Sequence, residues 1–162
     1  MSKYRMSSAI LVVTSLIFLS VTPAALTQTA PISPFTAEYM VLNQKLYISI
    51  QPSIIVYYNN ISDAIFRDSD YTKLITPQAV QPIADSILTI TRDMPYSEEQ
   101  FANAVLALVH QIPYNITGAK YPVETIADNV GDCGAVSVLA ASIMKAGGLD
   151  VVLIKYSGIN PG

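Results

Sequence analysis

A chain of 162 residues with 12 acidic and 9 basic side chains has a net charge of −3 and is long enough for one domain with a real core. Lys and Arg are nowhere clustered, which excludes the electrostatic footprint of a nucleic-acid-binding protein. The single cysteine excludes an internal disulfide framework and any cysteine-based zinc site, so neither a metal nor another cofactor is expected.

The high hydrophobic content of 51% owes much to residues 1–25. Lys3 and Arg5 precede an apolar run from Ala9 to Val21, and small residues with a proline follow in TPAALTQTA. A positive end, a short apolar run and a small-residue tail read as a secretory signal peptide, cut near Ala24 or Ala25. The alternative is a membrane anchor that stays in place. Either way the remainder is expected outside the cell or at its surface, touching the membrane only through this segment. Without Lys3 and Arg5 the chain keeps 7 basic against 12 acidic residues, a net charge of −5.

Residues 26–37 carry two prolines, several Thr and Ser and no charge, and read as a linker ahead of a domain over 38–162. Residues 45–50 (KLYISI) alternate as a strand does, and residues 53–58 (SIIVYY) are β-branched and aromatic enough to predict a second strand beyond Pro52. Asn59-Asn60 and the polar residues 68–70 mark loops. From Thr76 the periodicity turns helical. Thr76 is placed to cap a helix with Pro77 at its first position, and Val80, Ile83, Ala84, Ile87 and Leu88 share one face. Residues 97–100 (SEEQ) read as a capping box, with Tyr96 set to staple onto Phe101. Phe101, Ala104, Val105 and Leu108 make the next buried stripe, ending near Ile112 before Pro113.

A third helix is predicted from Asp132 or Cys133 to Gly147-Gly148, burying Val136, Leu139, Ala140 and Ile143. Its remaining positions are mostly Ala, Ser and Val, so it should be buried nearly all round. Residues 149–156 are then expected as a strongly apolar strand, followed by a turn-like tail. The order predicts an α+β fold. Two triplets, Asn60-Ile61-Ser62 and Asn115-Ile116-Thr117, match the N-glycosylation acceptor pattern and agree with export.

Cys133 opens the third helix, where unpaired backbone N–H groups and the positive end of the helix dipole favour negative charge. A nucleophilic cysteine needs such a place; the bland reading is a buried, inert thiol. Asp132 is expected to cap the helix and Glu124 to hold the approach to it. His110, the only histidine, lies at the end of the preceding helix and is read as a surface or helix-end residue rather than a base.

The segment YPVETIADNVGDC (residues 121–133) resembles the approach to the nucleophile in the transglutaminase-like superfamily of archaea and bacteria, and LVHQIPYNI (residues 108–116) resembles that family's upstream helix end. The similarity covers roughly residues 76–156. It implies a papain-like core, in which the helix carrying the cysteine is central, buried and packed on an antiparallel sheet. It also implies thiol acyl transfer on an amide of a protein or peptide substrate, by hydrolysis or transamidation. Cys133 matches the nucleophile, Gly131 and Asp132 its flanking turn, and Tyr121, Pro122 and Glu124 the approach; Tyr121 is a candidate for an oxyanion pocket or substrate groove. Two departures stand out. The acidic pair that follows the cysteine in many members is Gly134-Ala135 here, so no calcium is carried over. The family's His and Asp belong beyond residue 156, and no matching residues are present. The chain is therefore expected to be the N-terminal part of such a domain, inactive as it stands. The competing reading is a non-catalytic surface module, binding or structural, on the same scaffold.

Overall fold

The structure, a computed structural model, describes residues 34–61, 65 and 67–155. Residues 1–25, read above as a signal or anchor, residues 26–33 of the segment read as linker, Ser62 and the tail beyond 155 lie outside the described residues. The described fold is α+β: a two-stranded antiparallel sheet and a set of packed helices.

Strands β1 (Phe35–Val41) and β2 (Gln44–Ile50) form a hairpin with Phe35 opposite Ile50 and Val41 opposite Gln44. Its turn residues Leu42 and Asn43 both have positive φ, 49° and 63°, the twist that a two-residue hairpin needs. β1 thus begins inside the segment read as linker. Alternation sends Tyr39, Val41, Leu46, Ile48 and Ile50 inward, and burial holds the Tyr39 phenol above its ordinary pKa. The sheet packs on two helices, α2 (Pro77–Thr91) and α3 (Ser97–Val109).

The edge of β1 is held by one side chain. The Gln111 amide accepts from the Met40 N–H (2.9 Å) and donates to the Met40 carbonyl (2.7 Å), as a neighbouring strand would. Gln111→Ala is expected to lower stability by about 1 kcal/mol, since both bonds are exposed. The measurement is the urea midpoint together with exchange of the Met40 amide hydrogen; unchanged exchange would remove the clamp from the account.

Residues 53–58 are not a strand. They lie in helix α1 (Pro52–Asn59), which starts at a proline whose fixed φ suits the first helical position. Ile54, Ile55 and Tyr58, at helical spacing, are half-buried against the core. A face that can be covered at i, i+1 and i+4 outweighs β propensity here. A 3₁₀ segment, Asp68–Leu74, follows. Its buried Asp70 accepts from the Arg67 N–H (2.9 Å) and pairs with Lys73 (3.0 Å).

Helices α2 and α3 bury the expected stripes, except that Leu88 is only partly covered and Thr91 and Val109 are added. Their N-termini differ from expectation. Thr76 makes no side-chain cap: its N–H donates to Ser142 Oγ (3.1 Å), and its own Oγ1 is buried without a partner among the described residues. The SEEQ box does not form either, because Ser97 is already helical and Tyr96, with φ 55°, occupies the cap. Tyr96 is 81% exposed, so it does not staple onto Phe101.

Two further helices complete the fold: α4 (Pro122–Asp128), unpredicted, and α5 (Cys133–Ala146). α5 packs on α2, α3, α4 and the 3₁₀ segment. It is therefore central, and among the described residues its substantial contacts are with helices, while the two-stranded sheet packs on α2 and α3. It is not covered all round. Ala135, Val138, Leu139, Ala141, Ser142 and Ile143 are buried and Val136 and Ala140 partly so, while Cys133, Ser137 and Lys145 are exposed.

The strand expected over 149–156 is absent as far as residue 155. Leu149, Val151 and Leu153 are half-buried and alternate with exposed Asp150, Val152 and Ile154. That is a strand's rhythm, but the segment has no ladder partner among the described residues, and a strand is stable only when paired. No described helix is long and apolar enough to cross a membrane.

Candidate active site around Cys133

The approach to Cys133 is built from backbone bonds fixed by a few side chains. Tyr121 caps α4 in an extended conformation, and the Glu124 carboxylate accepts its N–H at 2.7 Å. Lys120 pairs with Asp128 at the other end of the same helix (2.6 Å). α4 ends at Asn129 in the left-handed region, whose Oδ1 accepts from the Tyr39 hydroxyl (3.3 Å). The chain then turns through Gly131 into α5.

Gly131 is the joint between this turn and the loop after α3. Its N–H donates to the Pro113 carbonyl (3.2 Å) and its carbonyl accepts from the Asn115 N–H (3.1 Å), making a parallel bridge opposite Tyr114. A side chain here would start 3.1 Å from Thr125 Cγ2 and 3.2 Å from Ala135 Cβ, so glycine lets the turn close on both helices. Asp132 uses both carboxylate oxygens. Oδ1 accepts from the Ala135 N–H (2.9 Å), the cap expected from the sequence, and Oδ2 accepts from the Gly118 N–H (3.0 Å). One residue thus caps the helix and straps the 113–118 loop beside it.

At the head of α5, Cys133 is a free thiol and exposed. The N–H groups of Cys133 and Gly134, the first two of the helix, have no hydrogen-bond partner among the described residues. Beside them stands Tyr71 of the 3₁₀ segment: a Cβ added to Gly134 would lie 3.1 Å from Tyr71 Cε1 and 3.5 Å from its hydroxyl. Sequence reasoning missed Tyr71, because a short 3₁₀ segment carries no periodic signal and its sequence distance from Cys133 is large.

The same contacts bear on Gly134-Ala135, the positions where the resemblance would put an acidic pair. A side chain at 134 would meet the Tyr71 ring and, at 3.2 Å, the Asp132 carboxylate, while Ala135 is 1% exposed. Burying an unpaired carboxylate at 135 is unfavourable, and one at 134 would stand against the Asp132 carboxylate. Among the described residues no three His, Cys, Asp or Glu side chains are placed to hold a metal ion.

Tyr121 is 5% exposed, its ring 4.8 Å from that of Tyr58, so it stands in the packing between α1 and α4. His110 caps the C-terminus of α3 and is exposed; no hydrogen bond joins it to Cys133. Two surface hollows, one lined by Met94, Tyr96 and Ser97 and the other by Leu88, Phe101 and Leu149, do not include Cys133. The structure thus brings Gly131, Asp132, Cys133 and Tyr71 together. Glu124 stands apart from them, in the cap of α4. In comparisons with family models, curated proteins and solved structures, nothing matches the chain.

Proposed function

We propose that this chain is an exported, transglutaminase-like protein of papain-like descent that accepts an acyl group from an amide of a protein or peptide at Cys133. The observation that carries this reading is the exposure of the thiol at the first position of a capped helix, since free cysteine is among the most buried residue types. Attack by the thiolate on a carbonyl carbon places the new oxyanion where unengaged N–H donors already stand, at Cys133 and Gly134. The Tyr71 hydroxyl, beside Gly134, is a further donor of the right kind. The C–N bond then breaks and the amine leaves with a proton, giving a thioester that water or a second amine resolves.

That proton needs an acid, and no described histidine, carboxyl or lysine side chain is hydrogen-bonded to Cys133. An activated ester does not need it, because its phenolate leaves unaided. With p-nitrophenyl acetate the folded chain is expected to release one equivalent of nitrophenolate without turnover. The acetyl group should map to Cys133, come off with hydroxylamine, and be absent in Cys133→Ser. Acylation should run on the order of tenfold faster than in the urea-unfolded chain, a modest share of what oxyanion donors supply in enzymes. Equal rates in folded and unfolded chains would sink the acyl-transfer reading and leave the non-catalytic surface module.

A further inference from the structure

We propose that Asn115 is an N-glycan acceptor and that its glycan stands on the rim of the Cys133 site, restricting which acyl substrates reach the thiol. The inference rests on the export part of the function proposed above. Asn115-Ile116-Thr117 is one of two acceptor triplets, and the structure separates them. Asn115 and Ile116 are exposed in a loop without helix or strand. The Asn115 side-chain Oδ1 accepts from the Ile116 N–H (2.9 Å), while its Nδ2 makes no hydrogen bond among the described residues. Asn60 ends a helix, and its amide nitrogen already donates to the Val56 carbonyl (2.8 Å). A glycan on Asn115 therefore costs the fold no bond.

Its position gives it a consequence. The Asn115 N–H is bonded to the Gly131 carbonyl, and the same loop is strapped by Gly118 to the Asp132 carboxylate. Gly131 is two residues from Cys133, at most about 7.6 Å between Cα atoms. A branched, hydrated oligosaccharide rooted there crowds the approach to the thiol for a protein, and much less for a small amide. In the transfer, Asn115 Nδ2 forms a bond to the anomeric carbon of a lipid-pyrophosphate-linked oligosaccharide. The bond from that carbon to the pyrophosphate oxygen breaks, the lipid pyrophosphate leaves with the electron pair, and Nδ2 loses one proton.

The test is expression of the full chain in a secretory host that performs N-glycosylation, alongside the same chain with residues 1–25 replaced by the host's own signal. Peptide mass spectrometry is expected to find glycan on Asn115 in both, and Thr117→Ala should abolish it. An unmodified Asn115 in protein secreted behind the host signal overturns the proposal. Glycan on Asn115 only behind the host signal supports the acceptor site while refuting export by residues 1–25. The glycosylated protein should react with iodoacetamide at Cys133 as fast as enzymatically deglycosylated protein, but several-fold more slowly with a polymer-linked maleimide. Equal rates with the polymer reagent overturn the placement on the rim.

Discussion

Gly147→Ala is expected to lower stability by about 2 kcal/mol, one of the largest effects of any single methyl group in this fold. Gly147 caps α5 with φ −79°, a conformation alanine adopts without strain, so the backbone contributes no penalty. The cost comes from packing. A Cβ at 147 would lie 2.1 Å from Phe101 Cζ and 2.3 Å from Cε1, and the ring is 1% exposed. Phe101 sits in the buried stripe of α3, which packs on α5, so its ring must shift to admit the methyl group. Against this, alanine restricts the unfolded chain more than glycine does and returns roughly 0.4–1 kcal/mol. For a chain of this size the net loss corresponds to a fall in Tm of roughly 4–8 °C. Phe101→Leu shortens the ring's reach and should be partly compensatory in the double variant, so a double-mutant cycle must show favourable coupling. A Gly147→Ala protein with unchanged Tm would mean that the α3–α5 seam is looser than these distances require.

How far the amino-acid order foretells this arrangement depends on what carries each feature. α2 and α3 are legible because each repeats an apolar stripe long enough to fix its face, and the buried residues are largely those the spacing selects; α5 is legible as a helix, but it buries Ala135, Val138, Ala141 and Ser142 beside Leu139 and Ile143, while Val136 and Ala140 are only partly covered. α1 is misread because SIIVYY has strand composition, while Pro52 and a half-buried face at i, i+1 and i+4 favour a helix. Residues 149–155 are the converse case. Their alternation is correct for a strand, but pairing is a property of the neighbour, and no described strand lies beside them. At the site, Asp132 is readable as a cap because an acid directly before an apolar helical run has few other uses. The bridge between Gly131 and the 113–118 loop is invisible in sequence, since backbone N–H and C=O groups make it. Tyr71 is hidden for a different reason: only its contact with Gly134 relates it to the helix.

Asp132→Ala is expected to remove two things at once, and its comparison with Asp132→Asn separates positioning from charge. The alanine variant leaves the Ala135 and Gly118 N–H groups without their carboxylate acceptors. Loss of a helix cap of this kind costs about 1–2 kcal/mol, and the loop bond adds a smaller amount because Gly118 is exposed. With the first turn of α5 frayed, the N–H groups of Cys133 and Gly134 no longer hold a fixed direction. The acylation rate with the activated ester should then fall toward that of the unfolded chain, in addition to the loss of stability. Asparagine caps helices about as well as aspartate and keeps a carbonyl oxygen for the Ala135 N–H. Asp132→Asn should therefore retain most of the stability and the folded acylation rate, while weakening the strap to Gly118, where an amide nitrogen replaces the acceptor oxygen. If Asp132→Ala loses stability but acylates at the native rate, measured well below its unfolding transition, the capped turn is scaffold alone. If Asp132→Asn acylates as slowly as Asp132→Ala, it is the negative charge and not the cap that matters at Cys133. The capped-turn account requires the third pattern: a slow alanine variant beside an asparagine variant that keeps the native rate.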